Sequence, residues 1–518
     1  MSAMTDAGRR GLRVVERLLD ALTDPARRER TAATVLLAYV ALWTLYGVLA
    51  KASQDIHVDM AEQFVLSREL AWGYPKHPPL AMLIVRAWFA VFPTTDWAYY
   101  LLAMANAGLA LWIAWRLSAR YLDGERRVIG LALLTLVPFF NFHALKFNSN
   151  SVLMPLWAAT TLFFLRSLET RRVLDAALAG LVAAAAMYGK YWSIVLLAGL
   201  AIAALADARR AAYFRSPAPW VTIAVGALAL APHVAWLVAN DFAPFSYAVV
   251  VHGAASLAST LRAALGYLAG SIGYVAAPLL IVVLAARPGR AAVKDMAWPA
   301  PPQRRVAALA FWLPLLLPAL IAPVARVQLV SLWSMSAWTL LPVMLLSSPL
   351  VAISRRDTLR LLTLAVAFPL VMIALAPAIA FGIHRAGLAP GVTHSSVLVE
   401  PVQRLWRETT DRPLRMFAGF DEFTDGVAFY MRDHPLAAHV LDGGVAPALE
   451  QRIARDGIAM VCPARPRHLP SADWCLRAAN GIADRFPRGK RLELDVSRRF
   501  LGVDGEPARY VIITVPPR

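Results

Sequence analysis

Between Thr31 and Phe381 the chain strings together apolar residues in runs of about twenty, and that repetition limits the fold more than any other feature. A helix rises about 1.5 Å per residue, so such a run crosses about 30 Å of hydrocarbon, where only helices and closed barrels satisfy their backbone hydrogen bonds. Twelve segments qualify: 31–50, 78–93, 98–116, 128–145, 150–165, 174–188, 191–206, 219–239, 263–286, 306–324, 335–352 and 358–381. The chain is 58% hydrophobic, above the roughly 45–50% of soluble domains, and its mean hydropathy is +0.53. It reads as a polytopic α-helical membrane protein. The 137 residues from Gly382 onward are more polar and have the length of one small domain. Residues 1–30 are charged throughout and lack the apolar core of a cleavable signal peptide, so they read as a retained basic flank.

If all twelve segments crossed, the cation-rich loops "RLSARYLDGERR" and "RSLETRR" would lie outside, against the rule that Lys and Arg collect in cytoplasmic loops. The weakest segment is 78–93, "PPLAMLIVRAWFAVFP", which is short, bracketed by prolines and interrupted by Arg86. An arginine at mid-bilayer costs about 2.5–3.5 kcal/mol on insertion scales. Laying that segment in the outer interface leaves eleven spans. It puts loops 1–30, 116–127, 166–173, 207–218, 287–305 and 353–357 in the cytoplasm with 24 Lys and Arg, against seven in the outer loops. The net charge of +18 is then largely topology, which removes the case for nucleic acid as a partner. An odd span count sends the tail outside. The organisation expected is a cytoplasmic flank at 1–30, a transmembrane domain at 31–381 with its first external loop at 51–97, and an extracytoplasmic α/β domain at 382–518. Both cysteines, Cys462 and Cys475, lie in that tail; they either pair, as an oxidising compartment permits, or stay buried thiols.

The first external loop contains "VDMAEQFVLSRELAWGYPKHPPL". Asp59 and Glu62 have the capping-box spacing, which predicts a helix capped by Asp59 and running to about Trp72. Gly73 would end it, Tyr74 and the prolines would form a turn, and a second interfacial helix would begin at Pro78 or Pro79. Lys76 and His77 then stand at headgroup depth, as do Lys146, Lys190, His233, His252, Arg262 and Arg326 near other outer boundaries. Cations there suit a lipid phosphate. Each, taken singly, also fits an ordinary interfacial anchor, just as the outer aromatics fit an interfacial belt.

An Asp opening an amphipathic loop helix, a Gly-Tyr turn and a Lys-His-Pro-Pro-Leu segment together resemble the family 39 glycosyltransferases of the GT-C superfamily. That family includes protein O-mannosyltransferases and lipid A aminoarabinose transferases. "MYGKYWSIVLLAGL" is similar to the Gly-Lys-Tyr element of bacterial members, and "WSMSAWTLLPVMLL" to their late helix; the similarity covers about 31–381. The resemblance implies a multi-pass protein of the bacterial inner membrane, with a cytoplasmic N-terminus and a periplasmic C-terminal domain. It implies a polyprenyl-phosphate sugar donor, an acceptor hydroxyl on lipid, glycan or protein, and Asp59 as catalytic base. Asp55 and Glu62 are candidate second acids. His77 falls where relatives place a Lys or His before Pro-Pro, which implies a role beside the donor phosphate. Lys76, Lys146, Lys190, Arg262 and Arg326 are the other candidate phosphate ligands. Tyr74, Asn148, Asn150 and Tyr191 are candidate sugar or acceptor contacts. Many relatives carry an acid in the second external loop; here "HALKFNSNSV" has none.

Two other classes compete. A lipid-linked glycan flippase would also need outer cations and many spans, but more naturally places charged or broken helices near the midplane, where these spans hold almost no ionisable groups. A non-catalytic assembly or sensor protein would work through its tail. No cofactor is implied; a divalent metal on His57, Asp59 and His77 has only three candidate loop ligands behind it. Neither His-Glu-x-x-His nor a Walker glycine loop is present.

Overall fold

The computed structural model describes residues 6–387, 394–438, 447–464, 473–486 and 488–518. These form two compact units, one built from Met1–Thr44, Ala71–Ala81 and Leu101–Val371, the other from Leu45–Leu70, Met82–Tyr100 and Met372–Arg518. Among the described residues five helices are long and apolar enough to cross a membrane: Arg28–Ala50, Asp96–Ser118, Ala218–Ala239, Pro302–Ala325 and Arg355–Ala386. Counting each bent pair as one span raises the number to seven; Gly124–Thr135 bends by 76° into Pro138–Leu145, and Leu257–Tyr274 by 54° into Ala276–Ala286. Proline explains both breaks. Pro138 and Pro278 lack the N–H for an intrahelical bond and their rings clash one turn back, so the preceding helices stop at Thr135 and Tyr274. Long helices alone therefore do not reach the eleven spans expected, because apolarity does not register where proline interrupts the backbone. Leu80–Phe89 has ten residues, about 15 Å, which is too short to cross.

The helix expected over 335–352 is instead a 3₁₀ stretch, Ser331–Leu340, followed by a short helix, Leu341–Leu346. Ser334 turns its hydroxyl back onto the Ser331 carbonyl at 2.8 Å, and Pro342 starts the new helix. The last long helix ends at Ala386, so the tail begins a few residues later than its composition suggests.

In the first unit, loops assigned to one side by charge meet one another. Glu29 accepts from Arg127 at 2.9 Å and from Arg116 at 3.5 Å. Arg355 bridges Asp20 and Glu125, Arg126 reaches the Val351 carbonyl, and Arg304 donates to Ser347. Arg120 pairs with Glu169, whose neighbour Ser167 meets Tyr213. These contacts link the cation-rich loops to one another, Arg304 through Ser347, and the loop 166–173 leads into the Val173–Gly189 helix. Glycine permits close packing along that helix: a Cβ on Gly180 would lie 2.3 Å from the Thr222 carbonyl oxygen, so the backbone of Ala218–Ala239 approaches directly.

In the second unit the tail is a five-stranded sheet between helices. Its strands are β1 (Met416–Gly419), β2 (Leu436–Ala438), β3 (Ile458–Pro463), β4 (Lys490–Val496) and β7 (Ala508–Val515), ordered β2-β1-β3-β7-β4; β5 (Arg499–Phe500) and β6 (Val503–Asp504) form a separate hairpin. β1 is parallel to β2 and β3, whereas β7 is antiparallel to β3 and β4. The period-two alternation of side chains explains the layers. Ile458, Met460 and Cys462 enter one core with Ile453 and Ile482, while Ala459 and Val461 enter the other with Leu398, Trp406 and Val427. A strand buried on both faces must read as a continuous apolar run, as "IAMVCP" does. Cys462 and Cys475 are joined, with Cα atoms 5.7 Å apart, which ties β3 to the Asp473–Arg485 helix. Most of the loop "CPARPRHLPSADWC", including Arg465 and Arg467, lies outside the described residues.

Candidate active site

The helix bearing Asp59 runs Val58–Ser67, and its cap corrects the sequence reading. His57, not Asp59, is the N-cap: its Nδ1 accepts from the Asp59 N–H at 3.1 Å. Asp59 sits inside the first turn, where a carboxylate gains from the unsatisfied N–H groups of the helix start. Its Oδ1 lies 3.6 Å from His57 Nδ1, and its side chain keeps 36% exposure, so the carboxylate remains accessible. The helix stops at Ser67 rather than Trp72, because Arg86 Nη1 donates to the carbonyls of Ser67 and Arg68, both at 3.0 Å. Glu62, one turn after Asp59, is half-buried.

Asp55 is placed differently. It is 5% exposed, and its Oδ1 accepts from Ser396 Oγ at 2.6 Å and from Arg498 Nη2 at 2.5 Å. Asp55 is thus held in a buried ion pair, whereas the Asp59 side chain keeps its exposure.

In the first unit, segment 71–81 forms a turn closed by the Tyr74 N–H donating to the His77 carbonyl at 3.0 Å. Gly73 is present for space, not to end a helix: a Cβ there would fall 2.3 Å from the Trp236 ring. Trp236 stacks on His233 at 5.9 Å with 6° between planes. One nitrogen of His233 meets the Trp72 carbonyl at 2.5 Å and the other the Tyr191 hydroxyl at 2.9 Å. Tyr191, expected to touch sugar or acceptor, is therefore part of the frame of the turn that presents Lys76 and His77.

Lys190 follows the Val173–Gly189 helix, at the end opposite the cation-rich loops. Its Nζ donates to Asn150 Oδ1 at 2.6 Å and lies 5.1 Å from the centre of the Trp333 ring, against which His252 packs edge-on at 5.0 Å. Lys76 Nζ stands 5.7 Å from the Tyr247 ring centre. Burial lowers the pKa of His252, and the positive charges of Lys190 and Lys76 lower it further. Asn148 is buried and its Oδ1 accepts from the N–H groups of Asn150 and Ser151, so it shapes the loop that aims Asn150. Lys146 is half-buried in that loop. Arg326 adopts a left-handed conformation, φ 51°, and its carbonyl accepts from the Ala254 N–H at 2.7 Å, while Arg262 is exposed on the Leu257–Tyr274 helix. That Trp333 and Tyr247 neighbour Lys190 and Lys76 carries no signal in the sequence. Among the described residues no three His, Cys, Asp or Glu side chains are grouped to hold a metal ion.

Comparison with known proteins bears on this geometry. Residues 76–236 match the family model for dolichyl-phosphate-mannose-protein mannosyltransferase, a span that includes Lys76, His77, Asn150 and Lys190 but begins after Asp59. The lipopolysaccharide core galacturonosyltransferase RgtB of Rhizobium johnstonii is 29% identical over 231 residues, 43% of this chain and 45% of that protein, so the chain spans less than half of that relative's length in the match. The crystal structure of ArnT from Cupriavidus metallidurans bound to undecaprenyl phosphate superposes with a TM-score of 0.60 at 12% identity, covering 94% of this chain and 99% of that one. The apo structure of the same protein gives 0.58 at 13% identity, with 94% and 100% covered. The chain thus shares the fold of ArnT, and its residues 76–236 carry the match to the mannosyltransferase family model.

Proposed function

We propose that this protein is a glycosyltransferase of the bacterial inner membrane, which moves a sugar from a polyprenyl-phosphate donor to a hydroxyl of an extracytoplasmic lipid, glycan or protein. The observation that carries this reading is the placing of two lysines of the segment matched by the family model against aromatic rings, Lys190 at Trp333 and Lys76 at Tyr247. A phosphate leaving group needs such cations, and a sugar needs such faces. The undecaprenyl phosphate bound by ArnT and the lipopolysaccharide core substrate in the name of RgtB favour a lipid-linked donor and an envelope acceptor.

In the step proposed, Asp59 takes the proton of the acceptor hydroxyl as its oxygen attacks the anomeric carbon. The new carbon–oxygen bond forms while the bond from that carbon to the phosphate oxygen breaks. The electron pair leaves with the polyprenyl phosphate, whose developing charge cationic side chains neutralise. A single displacement inverts the anomeric centre, and the phosphate departs without a proton. The test is transfer of radiolabelled sugar from mannosyl, galacturonosyl and aminoarabinosyl undecaprenyl phosphates by full-length protein in vesicles, comparing wild type with Asp59→Asn. A loss of about 10²- to 10⁴-fold in kcat is expected for a missing base. Undiminished turnover by the variant would refute Asp59 as base, and translocation of donor without transfer would make the protein a flippase.

A further inference from the structure

The Val58–Ser67 helix is held at each of its turns by groups distant in sequence. Ahead of it, Asp55 accepts from Ser396 and Arg498. The Ile56 N–H donates to the Tyr430 hydroxyl at 2.8 Å, and that hydroxyl donates onward to Asp96 Oδ2 at 3.1 Å. In the first turn the Met60 carbonyl accepts from Tyr99 at 2.7 Å. Phe64, in the middle, meets Phe89 at 5.5 Å and both Phe429 and His434 at 5.1 Å, each edge to face. Arg86 closes the last turn.

A helix of ten residues is marginal by itself, so these partners decide where it lies. Ser396, Phe429, Tyr430, His434 and Arg498 all come from the tail. Ser396, Tyr430 and Arg498 converge on Asp55 and Ile56, just ahead of the N-cap His57, not on the exposed face of the helix. A buried Arg–Asp pair is a poor way to gain stability, since desolvation offsets much of the attraction, but it tolerates only one geometry. Catalysis rewards that geometry: a displacement of about 1 Å at a reacting group can cost about 10²-fold in rate.

We infer that the C-terminal domain is a positioning element for the transfer reaction: Arg498, Ser396 and Tyr430 lock Asp55 and Ile56, and thereby set the reach of the Asp59 carboxylate. This rests on Asp59 as the base. Arg498, Ser396 and Tyr430 are positioning residues, not catalytic ones, and the domain is a working part of the transferase rather than an appendage.

The experiment uses full-length protein in nanodiscs and three changes: Tyr430→Phe, which removes one hydroxyl and keeps the ring; Arg498→Gln; and Arg498→Lys, which keeps the charge. Two quantities are read: kcat and KM for the undecaprenyl-phosphate sugar consumed by wild type, and amide exchange of residues 56–67. Tyr430→Phe and Arg498→Gln should lower kcat by about ten- to a hundredfold with donor KM within about twofold, and speed exchange at 56–67, while Arg498→Lys recovers part of kcat. Asp59→Asn run beside them should lose kcat with exchange unchanged. If Asp59→Asn is inactive while Tyr430→Phe and Arg498→Gln match wild type in kcat, the positioning role is overturned alone. If Asp59→Asn stays active, the base assignment falls and takes the inference with it. Equal losses in kcat and amount of folded protein, with no change in exchange at 56–67, would reduce the contacts to plain stability and overturn the inference as well.

Discussion

Replacing Gly73 by alanine adds one methyl group and tests how tightly the turn carrying Lys76 and His77 is built. Gly73 is not among the residues with positive φ, so alanine meets no backbone strain. The conflict is steric: the added Cβ would lie 2.3, 2.5 and 2.8 Å from three atoms of the Trp236 ring. Carbon atoms rest at about 3.5–4.0 Å, so turn and ring must separate by more than about 1 Å. The ring is backed by His233, whose two nitrogens are engaged by the Trp72 carbonyl and Tyr191, and retreat would break that set. Overpacking of this kind costs about 1–3 kcal/mol, which corresponds to about 5- to 150-fold in an equilibrium or a rate. Gly73→Ala should therefore lower kcat/KM for the lipid-linked donor by about 5- to 150-fold, measured in vesicles against equal amounts of folded protein. In a Trp236→Leu background, where the ring is gone, the same change should cost less than about twofold. Gly73→Ala indistinguishable from wild type, or a penalty that persists without the ring, would refute the account of the turn.

Two further outcomes concern the tail. Removing the Cys462–Cys475 bond with paired serines frees a loop of sequence separation 13 and should lower domain stability by about 3 kcal/mol, read as faster amide exchange in β3 and β7. His394 is held by burial, and then by the charge of Arg498, with its pKa lowered from 6.5 to about 4. The unfolded chain takes up that proton as pH falls through 6.5, while the folded domain refuses it until about pH 4. Stability present above pH 6.5 is thus lost across that window, by up to about 3 kcal/mol. His394→Gln should flatten that part of the pH dependence of exchange protection, and an unchanged slope would contradict it.

How much of this was legible in the sequence differs from element to element. Apolar runs and the sidedness of Lys and Arg anticipated a helical membrane protein and the grouping of six loops, because hydrocarbon imposes length and the translocation machinery reads charge locally. The prolonged polarity after Gly382 anticipated a small C-terminal domain in the same way, whose strand "IAMVCP" the structure buries on both faces. Asp59 and Asn150 were singled out by resemblance, and Lys190 by lying at an outer boundary.

What the sequence did not disclose depends on three-dimensional encounter. His57 displaced Asp59 as the cap because its imidazole sits two residues earlier with a suitable nitrogen, which the spacing of two acids does not reveal. Gly73 resembles a helix terminator until Trp236, more than 160 positions away, is found against it. Asp55 and Asp59 are four residues apart and chemically identical. Only the arrival of Arg498 and Ser396 from the far end of the chain buries one and leaves the other accessible, because a carboxylate's role is decided by what surrounds it.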